Sequence, residues 1–201
     1  AAPGEQPWPT QPIPFTASGK PMEPVCPVVP LEIPAEKLVN NKIVPIFTPM
    51  QPNHIFAPGT GGGSNYSPAS YSPRTGWLYV AAIDQPYNSG RGPKGYFSAY
   101  DPTTGELKWR KVFEGFGQAG SVVTASDLVF VGAGSNIAGY FYAFDAKTGE
   151  ELWKYNTGSG IFSSPSTYMV DGEQFITVAS GGGERGRRGG DLILSFALPK
   201  R

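Results

Sequence analysis

Aromatic and small residues alternate along Tyr96-Phe97-Ser98-Ala99-Tyr100-Asp101, and the alternation returns at Tyr140-Phe141-Tyr142-Ala143-Phe144-Asp145. Period-two alternation predicts a strand with one buried face, here carrying Phe97 and Ala99, then Phe141 and Ala143. Asp-x-x-Thr-Gly follows each strand, at 101–105 and 145–149. The Asp side chain can hydrogen-bond the turn backbone, and the Gly can supply a positive φ. Trp109 and Trp153 lie on the returning strands, where a large flat ring can pack between sheets. Asp101 to Asp145, Gly105 to Gly149 and Trp109 to Trp153 are each 44 residues apart. A strand-bearing repeat of that length predicts an all-β protein built of β-propeller blades, each of four antiparallel strands.

Extending the pattern predicts three blades. The first takes Ser67–Ser72, Trp77–Ile83 and strands near 96–101 and 106–112, after a glycine-rich approach at 59–65. The second takes Gly120–Ala125, Leu128–Val131, Tyr140–Asp145 and Glu150–Tyr155. The third takes Ser164–Val170, Gln174–Ala179 and Asp191–Ala197 and lacks its outer strand. Ser67-Pro68-Ala69-Ser70-Tyr71 and Ser164-Pro165-Ser166-Thr167-Tyr168 echo one another two repeats apart. Propellers close with about four to eight blades. Three are therefore expected to be part of one domain, completed by a larger polypeptide that carries the other blades.

Residues 1–60 are different material. Ten prolines between Pro3 and Pro34 forbid a continuous helix and cannot sit in central strands. The segment is expected to be extended and to wrap a surface, with one short helical turn near 34–40. Trp8, Ile13, Phe15, Ile43, Ile46 and Phe47 are too many apolar residues for a solvated linker. The expected division is thus 1–60, a Pro-rich wrapping segment, and 61–201, the blades.

Composition narrows the chemistry. Sixteen Lys and Arg balance sixteen Asp and Glu among 201 residues, which offers nothing electrostatic for nucleic acid or an anionic membrane. No run is long and apolar enough to span a bilayer. Cys26 is the single cysteine, read as a passive thiol, so no disulfide forms within the chain, and no Cys-x-x-Cys-His exists for covalent haem. No signal peptide is visible, and Ala1-Ala2-Pro3 fits a mature terminus or a cut site. His54 is the sole histidine, which excludes a His-based triad or zinc cluster within the chain.

Other motifs read blandly. Gly132-Ala133-Gly134-Ser135-Asn136-Ile137 mimics a dinucleotide fingerprint, but Ile replaces the third Gly and a strand follows instead of a helix. Gly59–Gly63 lacks the Lys-Ser/Thr of a phosphate loop. Arg185-Gly186-Arg187-Arg188 looks like an RNA-binding tract and reads better as a solvated loop. Asn65-Tyr66-Ser67 fits a glycosylation sequon.

The duplicated Asp-x-x-Thr-Gly-x-x-x-Trp resembles the tryptophan-docking motif of the eight-bladed quinoprotein dehydrogenases, which use pyrroloquinoline quinone (PQQ). The stretch 158–168, followed by 171–182, is similar to that family's last blade. Gly62-Gly63-Ser64-Asn65 with 71–79 is similar to a blade opening whose Asn reaches the quinone, and 3–12 is similar to a linker in membrane-type members. The resemblance covers nearly the whole chain. It implies the C-terminal part or small subunit of a periplasmic dehydrogenase that oxidises an alcohol or sugar hydroxyl with the quinone as acceptor. It places the catalytic Asp and the Ca2+ or lanthanide ligands in earlier blades, so this chain is expected to hold no catalytic or metal-ligating residue and to be inactive alone. Asn65, Tyr66, Gln118 and Gly182 are the expected cofactor contacts. Many members have Trp where Tyr66 and Gly182 stand here; Tyr66 can still stack on a flat ring and Gly182 cannot. The alternative is a non-catalytic propeller scaffold of PQQ-like repeats that binds proteins.

Overall fold

The computed structural model describes residues 35–44, 49–56, 59–90, 92–134, 139–182 and 189–198. Most of the Pro-rich stretch, Cys26 and the Arg185–Arg188 tract lie outside them. The chain forms two compact units, one of Ala1–Gly63 with Asp84–Pro93 and one of Ser64–Ile83 with Lys94–Arg201.

In the first unit, α1 (Ala35–Leu38) is the short turn expected after Pro34. β1 (Lys42–Ile43) and β2 (His54–Ile55) pair in parallel. Asn88, at φ 55°, donates through Nδ2 to the carbonyl of Pro52 (2.9 Å) and to Oδ1 of Asn41 (3.0 Å). Phe56 bridges Tyr87, and their rings stack at 5.0 Å. The loop 84–93 thus packs among the residues of the N-terminal segment. Its Asn88 amide and Tyr87 ring meet their partners there, and sequence distance hides both.

The second unit holds three antiparallel sheets in simple up-and-down order. The first is β3 (Ser70–Ser72), β4 (Trp77–Asp84), β5 (Lys94–Tyr100) and β6 (Leu107–Glu114). The second is β7 (Ser121–Val123), β8 (Leu128–Gly134), β9 (Gly139–Asp145) and β10 (Glu151–Asn156). The third is β11 (Ser166–Val170), β12 (Glu173–Ser180) and β13 (Leu192–Ala197), with β13 at its edge. Among the described residues these are propeller blades, two of four strands and one of three, as the repeat predicts.

The turns work as their residues suggest. Oδ1 of Asp145 accepts the backbone N–H groups of Lys147 and Thr148, both at 2.8 Å, and the Gly149 N–H donates to the Asp145 carbonyl at 2.9 Å. Those donors, the Thr148 N–H above all, hold the Asp145 carboxyl below its ordinary range. Gly149 sits at φ +71°, where a side chain is strained. This turn is where Trp109 of the first sheet docks. The indole N–H donates to the Ala146 carbonyl (2.9 Å), and the ring lies so close to Gly149 that an added Cβ would meet it at 2.7 Å. The buried Tyr79 hydroxyl donates to the same carbonyl at 3.0 Å, and burial pushes its phenol up from the ordinary value.

Aromatic contacts extend the joint. Phe97 meets Phe144 at 6.0 Å and Phe113 stacks on Tyr142 at 4.9 Å, while Phe141 and Trp153 reach Phe196 of the third sheet at 5.9 and 5.0 Å. β9 is consequently buried on both faces rather than one, because it lies between two sheets. A second device repeats at the same 44-residue spacing. The Arg110 guanidinium lies 5.0 Å over Tyr96, and the Lys154 ammonium 4.8 Å over Tyr140.

At the turn ends, Asp127 joins the first two sheets by ion pairs to Arg74 (2.9 Å) and Lys147 (2.8 Å). Its side chain is 14% exposed. Arg74 first, then Lys147, hold its carboxyl down at about 2. A depressed carboxyl stabilises the fold fully above the unfolded value of about 3.9, and the contribution disappears as pH falls towards 2. Asp127→Asn is therefore expected to lower the melting temperature at neutral and alkaline pH and to flatten its fall between pH 5 and pH 2. Trp109→Ala is expected to cost about 3 kcal/mol. Gly149→Ala should cost about 2 kcal/mol through strain and the clash with Trp109. Denaturant melts of the protein carrying these blades measure both.

Candidate functional site

The first strand of each sheet opens on a serine: Ser70, Ser121 and Ser166. Ser70 and Ser121 share a hydrogen bond of 2.8 Å between their hydroxyls, and the Ser121 N–H donates to the Pro68 carbonyl at 3.1 Å. Gly120 approaches Ser164 so closely that a Cβ there would lie 2.1 Å from Oγ. The link 115–120, between the first and second sheets, thus touches the link 157–165, between the second and third.

The expected site residues fall along this edge. Asn65 and Tyr66 precede β3 and face solvent, with Tyr66 70% exposed. Ser67, directly after them, donates its hydroxyl to the Phe162 carbonyl at 3.3 Å. Gln118 is half-buried in the first link, next to the buried Ala119. Gly182 follows β12 and bridges Gly160, its N–H donating to the Gly160 carbonyl at 2.9 Å. The space a side chain would take at Gly182 is filled by the Phe162 ring, which an added Cβ would meet at 2.2 Å. Phe162 therefore connects the Asn65–Tyr66 corner to Gly182, and Gln118 sits in the neighbouring link.

Sequence reasoning did not single out Phe162 or the hydroxyl cluster beneath it. Ser180, fully buried, lies 2.9 Å from both the Thr157 hydroxyl and the Ser159 carbonyl, and Thr157 donates to that same carbonyl. Ser163 donates to the Ala179 carbonyl at 2.9 Å and accepts the Ala179 N–H at 3.2 Å. These contacts fasten the second link to β12. The available signal was an aromatic in each link, Phe116 and Phe162, beside a bridge to the next sheet, Phe116 to Gly134 and Gly160 to Gly182.

A separate groove of about 890 Å3 opens between the second and third sheets, lined by Phe130, Leu152, Trp153, Glu173, Phe196 and Leu198 among others. None of the four expected residues lines it. Trp153 is 37% exposed there, and its indole N–H has no hydrogen-bond partner among the described residues. Among the described residues no three His, Cys, Asp or Glu cluster to hold a metal ion, and no helix is long and apolar enough to cross a membrane.

Comparison with known proteins gives a consistent picture. Residues 110–176 match the family described as glucose/ethanol/alcohol dehydrogenase, β-propeller domain. A quinoprotein alcohol dehydrogenase, PedE, of Pseudomonas putida is 37% identical over 187 residues, covering 81% of this chain and 29% of that protein. The quinohemoprotein alcohol dehydrogenase of Comamonas testosteroni is 33% identical over 159 residues, covering 63% and 22%. The chain thus spans under a third of the length of these relatives. The crystal structure of the Comamonas testosteroni enzyme covers 94% of this chain at a TM-score of 0.65 and 24% identity, and a europium-containing methanol dehydrogenase covers 82% at 0.53. At that identity the two structures establish the fold alone.

Ser180→Ala is expected to remove the hydroxyl beneath the second link at a cost of about 1 kcal/mol. Amide exchange at 158–162 should quicken while the strands of the first sheet stay protected.

Proposed function

This chain belongs to the PQQ-dependent quinoprotein dehydrogenase family, and on that premise we propose that it forms the C-terminal blades of an enzyme oxidising an alcohol or sugar hydroxyl with PQQ as electron acceptor. The observation that carries the reading is the open corner of Asn65 and Tyr66 beside the Ser67–Phe162 hydrogen bond. An exposed amide and an exposed aromatic ring, set at the inner edge of stacked sheets, suit a planar ligand with polar substituents. The close-packed glycines and hydroxyls around them fit a wall that holds its shape as a ligand enters.

On this reading the chain contributes pocket wall and no reacting group. Asn65 hydrogen-bonds a cofactor oxygen, Tyr66 flanks the ring, and the Gln118 link and the Gly182 corner close the side. PQQ, when bound, takes up the electrons removed from the hydroxyl-bearing carbon. The catalytic base and the ligands for Ca2+ or a lanthanide come from other blades, carried by the larger polypeptide that closes the ring. Trp153 supports the need for such a partner segment. It stands 44 residues after Trp109, and among the described residues no carbonyl meets its indole as Ala146 meets that of Trp109. Ile193 of the edge strand, 76% exposed, belongs to a face that a further blade would cover. The periplasm follows as the compartment from the same resemblance.

Titrating the apo form of the full protein with PQQ tests the proposal. Asn65→Ala should weaken binding about five- to tenfold without lowering the melting temperature. Absence of any PQQ binding or quinone absorbance in the intact protein would overturn the reading in favour of a scaffold.

A further inference from the structure

We propose that the groove between the second and third sheets seats a basic segment of the larger polypeptide, anchored by a Lys or Arg side chain on Asp171. The inference rests on the reading above that such a polypeptide completes the ring. Asp171 stands 44 residues after Asp127. Both take a left-handed backbone, at φ 50° and 61°, in the turn after the first strand of their sheets. Asp127 pairs with cations from two sides. Arg74 comes from the matching turn of the preceding sheet, and Lys147 from the turn that leaves its own sheet's third strand. Asp171 is exposed and has no ion pair among the described residues.

The surroundings explain why this carboxylate is left unpaired. In the second sheet, the turn that answers to Arg74's brings Thr124 and Ser126 to the groove, and neither carries a charge. Among the described residues the lining holds two acids, Asp171 and Glu173, and no Lys, Arg or His. Leu152, Trp153 and Phe196 give it a broad apolar surface. An occupant therefore has to combine apolar contact with a positive charge. It also meets the indole N–H of Trp153, whose counterpart in the first joint donates to a backbone carbonyl. A polypeptide segment supplies the cation, the apolar contact and the carbonyl together, whereas a free organic cation supplies the first two alone. The exposed carboxylate selects a basic segment and refuses an acidic one, while the aromatic surface holds what is selected.

Carbodiimide cross-linking of the intact protein, read by peptide mass spectrometry, tests the assignment, because the reagent joins a carboxylate to an amine in contact with it. Asp171 is expected to be joined to a Lys of the larger polypeptide. The product should fall about tenfold in Asp171→Asn, and as far in about 1 M NaCl, where the pair is screened. Asp171→Lys reverses the charge and should lower the melting temperature by about 3 °C in low salt but by under about 1 °C in high salt. That second readout also registers an Arg partner, which the reagent does not join. A product joining Asp171 to a Lys of this chain, Lys200 for instance, would overturn the partner in favour of the chain's own residues. No product, with no salt-dependent effect of Asp171→Lys, would overturn the cation and leave the larger polypeptide standing. Purification of the protein without any further blades would overturn both.

Discussion

The hydrogen bond from the Trp109 indole to the Ala146 carbonyl joins one sheet to the next, and much else in the blades is arranged to make it possible. The carbonyl is presented by a tight turn, and the turn exists because Asp145 gathers two backbone N–H groups while Gly149 accepts a positive φ. The same glycine leaves a flat surface for the indole ring. One short motif therefore supplies both a turn within its own sheet and a seat for its neighbour. Once that joint is made, the Phe97–Phe144 and Phe113–Tyr142 contacts align along the interface, and β9 is buried on both faces. Trp153 occupies the same place in the second sheet and packs on Phe196, but it has no matching carbonyl among the described residues.

The inner edge obeys an opposite constraint. Between the sheets there, hydroxyls satisfy one another through short bonds such as Ser70–Ser121 and Ser180–Thr157. A bulky ring there needs a place cleared for it, and the Gly160–Gly182 pair clears one for Phe162. The outer joint and the inner edge thus use glycine for the same end, letting an aromatic ring lie against bare backbone.

Repetition made much of this readable in advance. The third sheet was recognisable through its Ser-Pro echo at 67–68 and 164–165 even though its edge strand diverges from the motif. The Arg110–Tyr96 and Lys154–Tyr140 stacks repeat as faithfully as the tryptophans, yet Arg and Lys beside a Tyr look ordinary in a sequence. The loop at 84–93 was harder still. Its place in the first compact unit depends on Asn88 reaching Asn41 and Pro52, which no local pattern announces.

What the sequence by itself determined is the repeating unit: alternation makes the strands, Asp and Gly make the turns, and a 44-residue spacing stacks the sheets. Those are local preferences, written within about ten residues and repeated. The tertiary structure alone decided which residues meet across sheets. Asn65, Tyr66 and Gly182 were visible as candidates by resemblance, but Phe162 became one only when the link carrying it came to rest on Gly160 and Gly182. That contact joins residues 20 positions apart through the absence of side chains. A missing side chain leaves no pattern along the chain, and its consequence appears only where another residue fills the space.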